Sequence, residues 1–195
     1  FMSVNYEKAS FAELGKMLGK MLGMSKAGIF KYYKNKQELF IAVVDKFWFS
    51  TQNPRNKFTE TNGTFAEFID EYVRGVQRTM DMLGDLIGAE REKVAQGKFT
   101  YHAQYFHFLF QLLQYDPDAK EKLRNLVDGD YAYWRAAIQR AIATGELRED
   151  VDVEDAVVMF RQVYMGLSFE MAFMGGLNTQ RLAKHLHAVY SLLKR

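Results

Sequence analysis

Apolar residues recur along most of this chain at spacings of three and four, which places them on one face of an α-helix. From Thr64 the run is Phe65, Phe68, Ile69, Tyr72, Val73 and Val76, ending near Gly84. Thr64 and Glu67 form the capping-box pattern that opens such a helix. A second pattern follows Asp116-Pro117, with Pro117 expected in the first turn and Gly129 as a candidate kink. It stops at Thr144, where Gly145 suits the left-handed end of a helix. Residues 153–175 and 179–194 predict the last two helices. The first carries Val157, Val158, Phe160, Val163, Tyr164, Leu167, Phe169, Met171 and Met174, more apolar surface than a lone outer helix needs. The second carries Leu182, Leu186, Val189, Tyr190 and Leu193 on one stripe. Phe99 to Tyr115 is apolar nearly all round and is expected as a central helix. Residues 85–97 form a weaker segment, and Glu90-Arg91-Glu92-Lys93 reads as a solvated face. The fold class is all-α.

A short stretch near the N-terminus is more specific. Gly23 ends one helix, Ser25 caps the next, and Lys26 to Tyr33 make about two turns with Ile29, Phe30 and Tyr33 inward. Asn35 caps a following helix, with Glu38 at the capping-box position. That helix is expected over 36–51, with Leu39, Phe40, Val43, Val44, Phe47 and Trp48 inward. Pro54 and the polar stretch to Gly63 end it, and mark a domain boundary. A helix, a glycine turn and a short helix that opens with small and basic residues form a helix-turn-helix, whose second helix fits the DNA major groove.

Charge changes the picture once it is divided. The chain of 195 residues carries a net charge of +2. Between Tyr6 and Lys36 there are seven lysines against two glutamates, +5, which leaves −3 for the remainder. Positive charge is concentrated where phosphate binding needs it. There is no cysteine, hence no disulfide and no thiolate metal site. No apolar run approaches the ~20 residues of a membrane span. His102 and His107 lie five apart and His185 and His187 two apart, so neither pair has the i, i+4 spacing of a zinc helix. No phosphate-binding glycine loop or nucleophile elbow occurs. Catalytic residues, metal and cofactor are therefore expected to be none. Met159, Met165, Met171 and Met174 suit an adaptable apolar interior.

Gly23-Met24-Ser25-Lys26, Phe30-x-Tyr32-Tyr33 and Lys36-x-Glu38-Leu39 together resemble the DNA-binding domain of the tetracycline-repressor (TetR) family of bacterial transcription regulators. The resemblance covers roughly the first quarter of the chain. Phe30 departs from it, standing where the family usually has a tyrosine whose hydroxyl often reaches a phosphate. The helix that opens at Ser10 also departs. Gly15-Lys16-Met17-Leu18 is repeated as Gly19-Lys20-Met21-Leu22, so this helix is either one turn longer than the pattern or carries a duplicated turn foreign to it. The family has a further helix before Asn5-Tyr6, and most of it is expected to be missing here.

The resemblance implies a homeodomain-like head over 1–50 and a ligand-binding and dimerisation domain over 51–195. Lys26 and Gly28 are the expected base-edge contacts. Ser10, Lys31, Tyr32 and Lys36 are the expected phosphate contacts, and Ser25 and Ala27 complete the DNA face. Tyr101, His102, Tyr105 and Phe106, with Trp134, Phe160 and Tyr164 as further walls, are the expected ligand site; equally, the tips of Tyr101, His102 and Tyr105 simply pack. Aromatic walls and few fixed charges imply an apolar or aromatic effector. The partners implied are palindromic double-stranded DNA, a small-molecule effector and a second copy bound through helices 153–175 and 179–194. The implied function is that of a cytoplasmic repressor. The competing reading is a helical small-molecule carrier or enzyme with an incidental basic N-terminus.

Overall fold

Ser10 and Glu13 open the first helix by a reciprocal cap. The computed structural model describes residues 6–22, 26–58, 63–86 and 101–195. In it the Glu13 N–H donates to Ser10 Oγ at 3.1 Å and the Ser10 hydroxyl donates to Glu13 Oε2 at 2.7 Å. Helix α1 (Phe11–Leu22) then runs through both copies of Gly-Lys-Met-Leu without a break. Helix α2 (Lys26–Tyr32) packs on it, with the rings of Phe11 and Phe30 centred 4.5 Å apart. Asn35 Oδ1 accepts from Glu38 N at 2.8 Å and starts α3 (Lys36–Val43).

The expected long helix continues, but not as a regular α-helix. Val44–Phe49 is π-helical and is followed by α4 (Ser50–Gln52). The wider turn aligns Val44 and Trp48 with Leu39 and Phe40 in the interior, and it turns Phe47 outward to 43% exposure. The expectation of an inward Phe47 assumed an unbroken period of 3.6. The hydroxyls of Ser50 and Thr51 donate back to the carbonyls of Lys46 at 2.6 Å and Phe47 at 2.7 Å. Those bonds satisfy oxygens in the irregular turn.

A short α5 (Pro54–Lys57) leads into the helical body: α6 (Phe65–Leu86), α7 (Tyr101–Tyr115), α8 (Ala119–Ala143), α9 (Val153–Ala172) and α10 (Thr179–Leu193). Pro117 lies in the turn before α8 rather than in its first turn, and Asp118 is the N-cap. Gly129 does not interrupt α8. It makes room for the chain entering the body, because a Cβ there would stand 2.8 Å from Pro54 Cγ. Gly145, at φ +75°, ends α8 as its position predicts. Helix α9 stops at Ala172, ahead of Gly175 and Gly176, whose φ values are +105° and +109°. Only glycine adopts such angles readily.

Trp134 is the centre of the main core. Its ring stacks on Phe160 at 4.8 Å and meets the edges of Tyr72, Phe68 and Phe65. Truncating so enclosed a ring costs about 3–5 kcal/mol. The α10 stripe of Leu182, Leu186 and Tyr190 closes this core against α6. Helix α7 is not central: Phe108 and Leu112 are buried, whereas Phe110 is 64% exposed and Leu113 42%. Its apolar residues outnumber what one buried face can use. A second cluster joins Tyr6, Phe40, Val44 and Trp48 of the head to Phe108 and Leu112 of α7 and to Ala119. No described helix is long and apolar enough to cross a membrane.

Candidate nucleic-acid interface and ligand site

Helix α2 turns one stripe outward. Ala27, Lys31 and Tyr32 are exposed, Tyr32 at 69%, and Gly28 is half-buried between them. Phe30, on the opposite side, holds the helix to Phe11. A short helix fastened along its aromatic side and bare on the other can enter a groove. Ser10 is exposed at the start of α1, with its hydroxyl engaged by Glu13. Lys36 is half-buried, and its ammonium donates to the Tyr6 carbonyl at 2.9 Å and sits 4.3 Å above the Tyr6 ring. An ammonium has three N–H donors, so two remain for other acceptors. Ser25 and the side chain of Lys26 lie outside the described residues.

The head is tied to α7 by polar as well as apolar contacts. Tyr6 stacks on Tyr115 at 3.9 Å, and its N–H donates to Gln111 Oε1 at 2.6 Å. The Tyr115 hydroxyl donates to Glu7 at 2.7 Å, and Gln37 donates to the Tyr115 carbonyl at 2.9 Å. Lys122 bridges Asp45 of the head and the buried Asp116 at 2.7 and 2.9 Å. Between the head and α8 lies an open groove of about 570 Å³, lined by Asp45, Phe49, Pro54, Lys122, Leu126 and Tyr133.

Of the expected ligand residues, the side chains of Tyr101 and His102 lie outside the described residues. Tyr105 and Phe106 are half-buried and diverge. Tyr105 approaches Trp48 of the head at 5.9 Å, and Phe106 meets Phe169 at 5.2 Å. Trp134 and Phe160 are wholly buried and stack on each other as core. Tyr164 is half-buried and meets Tyr72 edge-on, with the ring centres 5.9 Å apart. Around Tyr164 the structure gathers charge that the linear sequence did not flag. Arg161 lies 5.5 Å and Lys57 5.8 Å from its ring centre. Both cations face Asp130 Oδ2, Lys57 Nζ at 3.5 Å and Arg161 Nε at 3.8 Å. The expectation of few fixed charges near these aromatics is thus corrected.

Burial raises the Tyr72 phenol well above its ordinary range, and Tyr164 and Asp130 add to the shift, because a low-dielectric site disfavours the charged form. Tyr105 is raised for the same first reason, with Tyr164 next. Burial opposes the charge on Arg161, but Tyr72 and Asp130 outweigh it and keep the guanidinium protonated.

Residues 76–186 match the family model described as the tetracyclin repressor-like C-terminal domain. The chain belongs to the TetR family. A solved structure from Rhodococcus sp., described as a TetR-family transcriptional regulator, shares the fold at a TM-score of 0.57 and 16% identity, over 92% of this chain and 86% of that one. No curated protein matches by sequence.

The resemblance seen in the head therefore extends through the body, since the matched residues run from α6 into α10. The chain is a TetR-type transcription regulator, all-α, with a helix-turn-helix head and a helical C-terminal domain. Regulators of this family bind DNA as dimers and respond to small molecules. Lys57, Asp130 and Arg161 were missed because they come from three separate helices. The one signal was that Asp130 and Arg161 each interrupt an otherwise apolar helix face.

Proposed function

We propose that this regulator is a dimeric, sequence-specific repressor, and that a small apolar or aromatic molecule releases it from a palindromic operator. The observation that carries this reading is the outward stripe of α2, Ala27, Gly28, Lys31 and Tyr32, on a helix-turn-helix in a TetR-family chain. Lys26 and Gly28 read base edges. Ser10, Lys31, Tyr32 and Lys36 hold phosphates, and Ser25 and Ala27 complete the DNA contacts. Phosphate contacts fix register and base contacts supply specificity.

Dimerisation uses residues 153–175 and 179–194. In support, α9 and its C-cap Phe173 leave Val158, Gln162, Gly166, Phe169 and Phe173 exposed, at helical spacing. Leu192 of α10 is 71% exposed. Two heads about 34–36 Å apart then meet successive major grooves.

Helix α7 couples ligand to head. Tyr105 lies between Trp48 of the head and the charged groups Arg161 and Asp130 that act on its phenol, while Phe108, Leu112 and Tyr115 of the same helix hold the head. A ligand that shifts α7 acts on the head only through a difference in affinity between the two dimer states.

Selection of bound duplexes from a random pool, with the full-length protein at moderate salt, tests the reading. Enrichment of a palindrome, with affinity falling steeply as salt rises, is expected. A folded dimer that enriches nothing would instead support a helical carrier.

A further inference from the structure

Among the described residues, the cluster at the centre of the body is electrically incomplete. Lys57, Asp130 and Arg161 are withdrawn from water, with side-chain exposures of 6%, 3% and 12%. Among the described residues two cations here face one carboxylate, which leaves one positive charge in excess. The groups that act most on Arg161 are Tyr72, Asp130, Tyr164 and Tyr105, and only one of these is a carboxylate. The hydrogen bonding is incomplete as well. Arg161 Nε and Nη1, Asp130 Oδ1 and the Tyr72 hydroxyl are buried with no hydrogen-bond partner among the described residues. Arg161 Nε stands 3.8 Å from Asp130 Oδ2. That is within ion-pair range but beyond a hydrogen bond.

Folded proteins rarely keep such groups unmatched, because an uncompensated buried charge is among the most costly features a core can hold. Water would satisfy the donors but not the charge. An anion satisfies both. Arg161 offers the N–H groups of Nε and Nη1, and Tyr72 an O–H, beside the ring of Tyr164, which Arg161 approaches and Tyr72 meets edge-on. The geometry points to a site for the carboxylate of a small organic acid, held by Arg161, Lys57 and Tyr72, with the acid's apolar part toward the half-buried rings of Tyr164 and Tyr105. The excess of one positive charge fits a monocarboxylate, whereas a phosphate dianion would leave a net negative charge.

This inference rests on the reading of the protein as a ligand-controlled regulator, and it gives that control a physical handle. Lys57 belongs to α5, the segment that joins the long helix of the head to the body. A carboxylate that draws Lys57 Nζ from Asp130 pulls on that segment directly. Binding and head position are then linked through one side chain.

Thermal unfolding of the full-length protein is measured with benzoate, phenylacetate and octanoate, and with the matching amides, at ionic strength held constant with sodium chloride. At least one acid should raise the midpoint by several degrees more than its amide. Tyr72→Phe should leave the ligand-free midpoint unchanged, since its hydroxyl has no partner to lose, and should weaken the acid about tenfold, as expected for one hydrogen bond to a charged acceptor. Arg161→Met leaves Lys57 and Asp130 as a balanced pair. It should hold or raise the ligand-free midpoint and abolish the difference between acid and amide.

Equal shifts from acids and amides, or no acid-specific shift from any of the three, would overturn the proposal. So would stronger stabilisation by phenyl phosphate, which would mark a dianion site, and so would a large fall in the ligand-free midpoint of Arg161→Met, which would make Arg161 a structural partner of Asp130. Operator binding separates this inference from the reading beneath it. Release by amides alone keeps the regulator and removes the anion site. Acid-specific binding that never alters operator affinity keeps the site and removes its regulatory role.

Discussion

The carbonyl of Lys57 rests directly on the backbone of Gly75, so that a β-carbon at residue 75 would overlap it. This is how α5 lies flat on α6 and delivers the Lys57 ammonium to Asp130. Gly75→Ala sets two effects against each other. Alanine favours the α6 helix by about 1 kcal/mol. The obstacle, however, is backbone and not a side-chain end that can swing away, and overpacking of this kind costs about 1–3 kcal/mol. The variant should therefore unfold at lower urea concentration than wild type. An unchanged midpoint would mean that α5 lifts from α6 without penalty.

Glu146 closes the first turn of α6 from 81 residues away in sequence. Its carboxylate accepts from Phe65 N at 2.8 Å and Ala66 N at 3.3 Å, and it also accepts the Tyr190 hydroxyl at 2.8 Å. One side chain thereby joins the start of α6, the end of α8 and α10. Glu146→Ala leaves two helix N-terminal donors and a phenol without that acceptor, and it should cost about 1–3 kcal/mol in equilibrium unfolding.

The same bond gives a pH signature. Burial first, and the bond to Glu146 second, push the Tyr190 phenol up to about 12 from its ordinary 10.0. The unfolded chain releases this proton first, so between pH 10 and pH 12 the native state binds more protons than the unfolded state and stability falls as pH rises. Below pH 10 the contribution is complete. Urea midpoints of wild type should decline across that window, and Tyr190→Phe should decline less. Tyr72, Tyr105, Tyr6 and Tyr115, whose phenols are raised as well, add to the slope.

How far the sequence reaches is clearest from particular residues. Helix periodicity and turn chemistry are local, and they locate the Asn35–Glu38 cap, Gly145 at the end of α8 and the Leu182–Leu186–Tyr190 stripe. The π-helical turn at Val44–Phe49 was not legible, because Phe47 and Trp48 are equally apolar and only packing decides which faces inward. The outer face of α7 was not legible either, because nothing in a run of aromatics says which rings are covered. Lys57, Asp130 and Arg161 converge only in three dimensions. Lys57 is far in sequence from the other two, and an isolated charge between apolar residues, as at Asp130 and Arg161, looks the same whether it faces water or a core.

In the head, a salt titration separates the phosphate contact proposed for Lys36 from its structural contacts. If it holds a phosphate, Lys36→Ala should weaken all duplexes alike and lower the slope of log affinity against log salt by about one. Its bond to the Tyr6 carbonyl and its place over the Tyr6 ring also brace the head against α7. A lower unfolding midpoint with an unchanged salt slope would assign Lys36 to that brace alone. Lys26→Ala, by contrast, should cost about 1–3 kcal/mol on the operator and relax the preference for one base.

The last prediction concerns the exposed stripe of α9. Leu167 and Met171 turn inward to the core, while Phe169 and Phe173, between and beyond them, are 49% and 71% exposed with their rings 5.2 Å apart. Gly166, about one turn earlier, has open space where a Cβ would sit. A contiguous outward apolar face of this kind marks an interaction site, and a second copy of the same stripe across a two-fold axis would cover it symmetrically. Phe169→Glu places like charges opposite each other at such an axis; within the chain it gives up the ring contact with Phe106 and leaves Leu167 and Met171 in the core. The variant should keep the helical circular dichroism of wild type, sediment as a monomer at micromolar concentration, and lose the palindromic operator while keeping weak salt-sensitive binding to any duplex. A variant that remains a dimer with full operator affinity would move the interface away from this stripe.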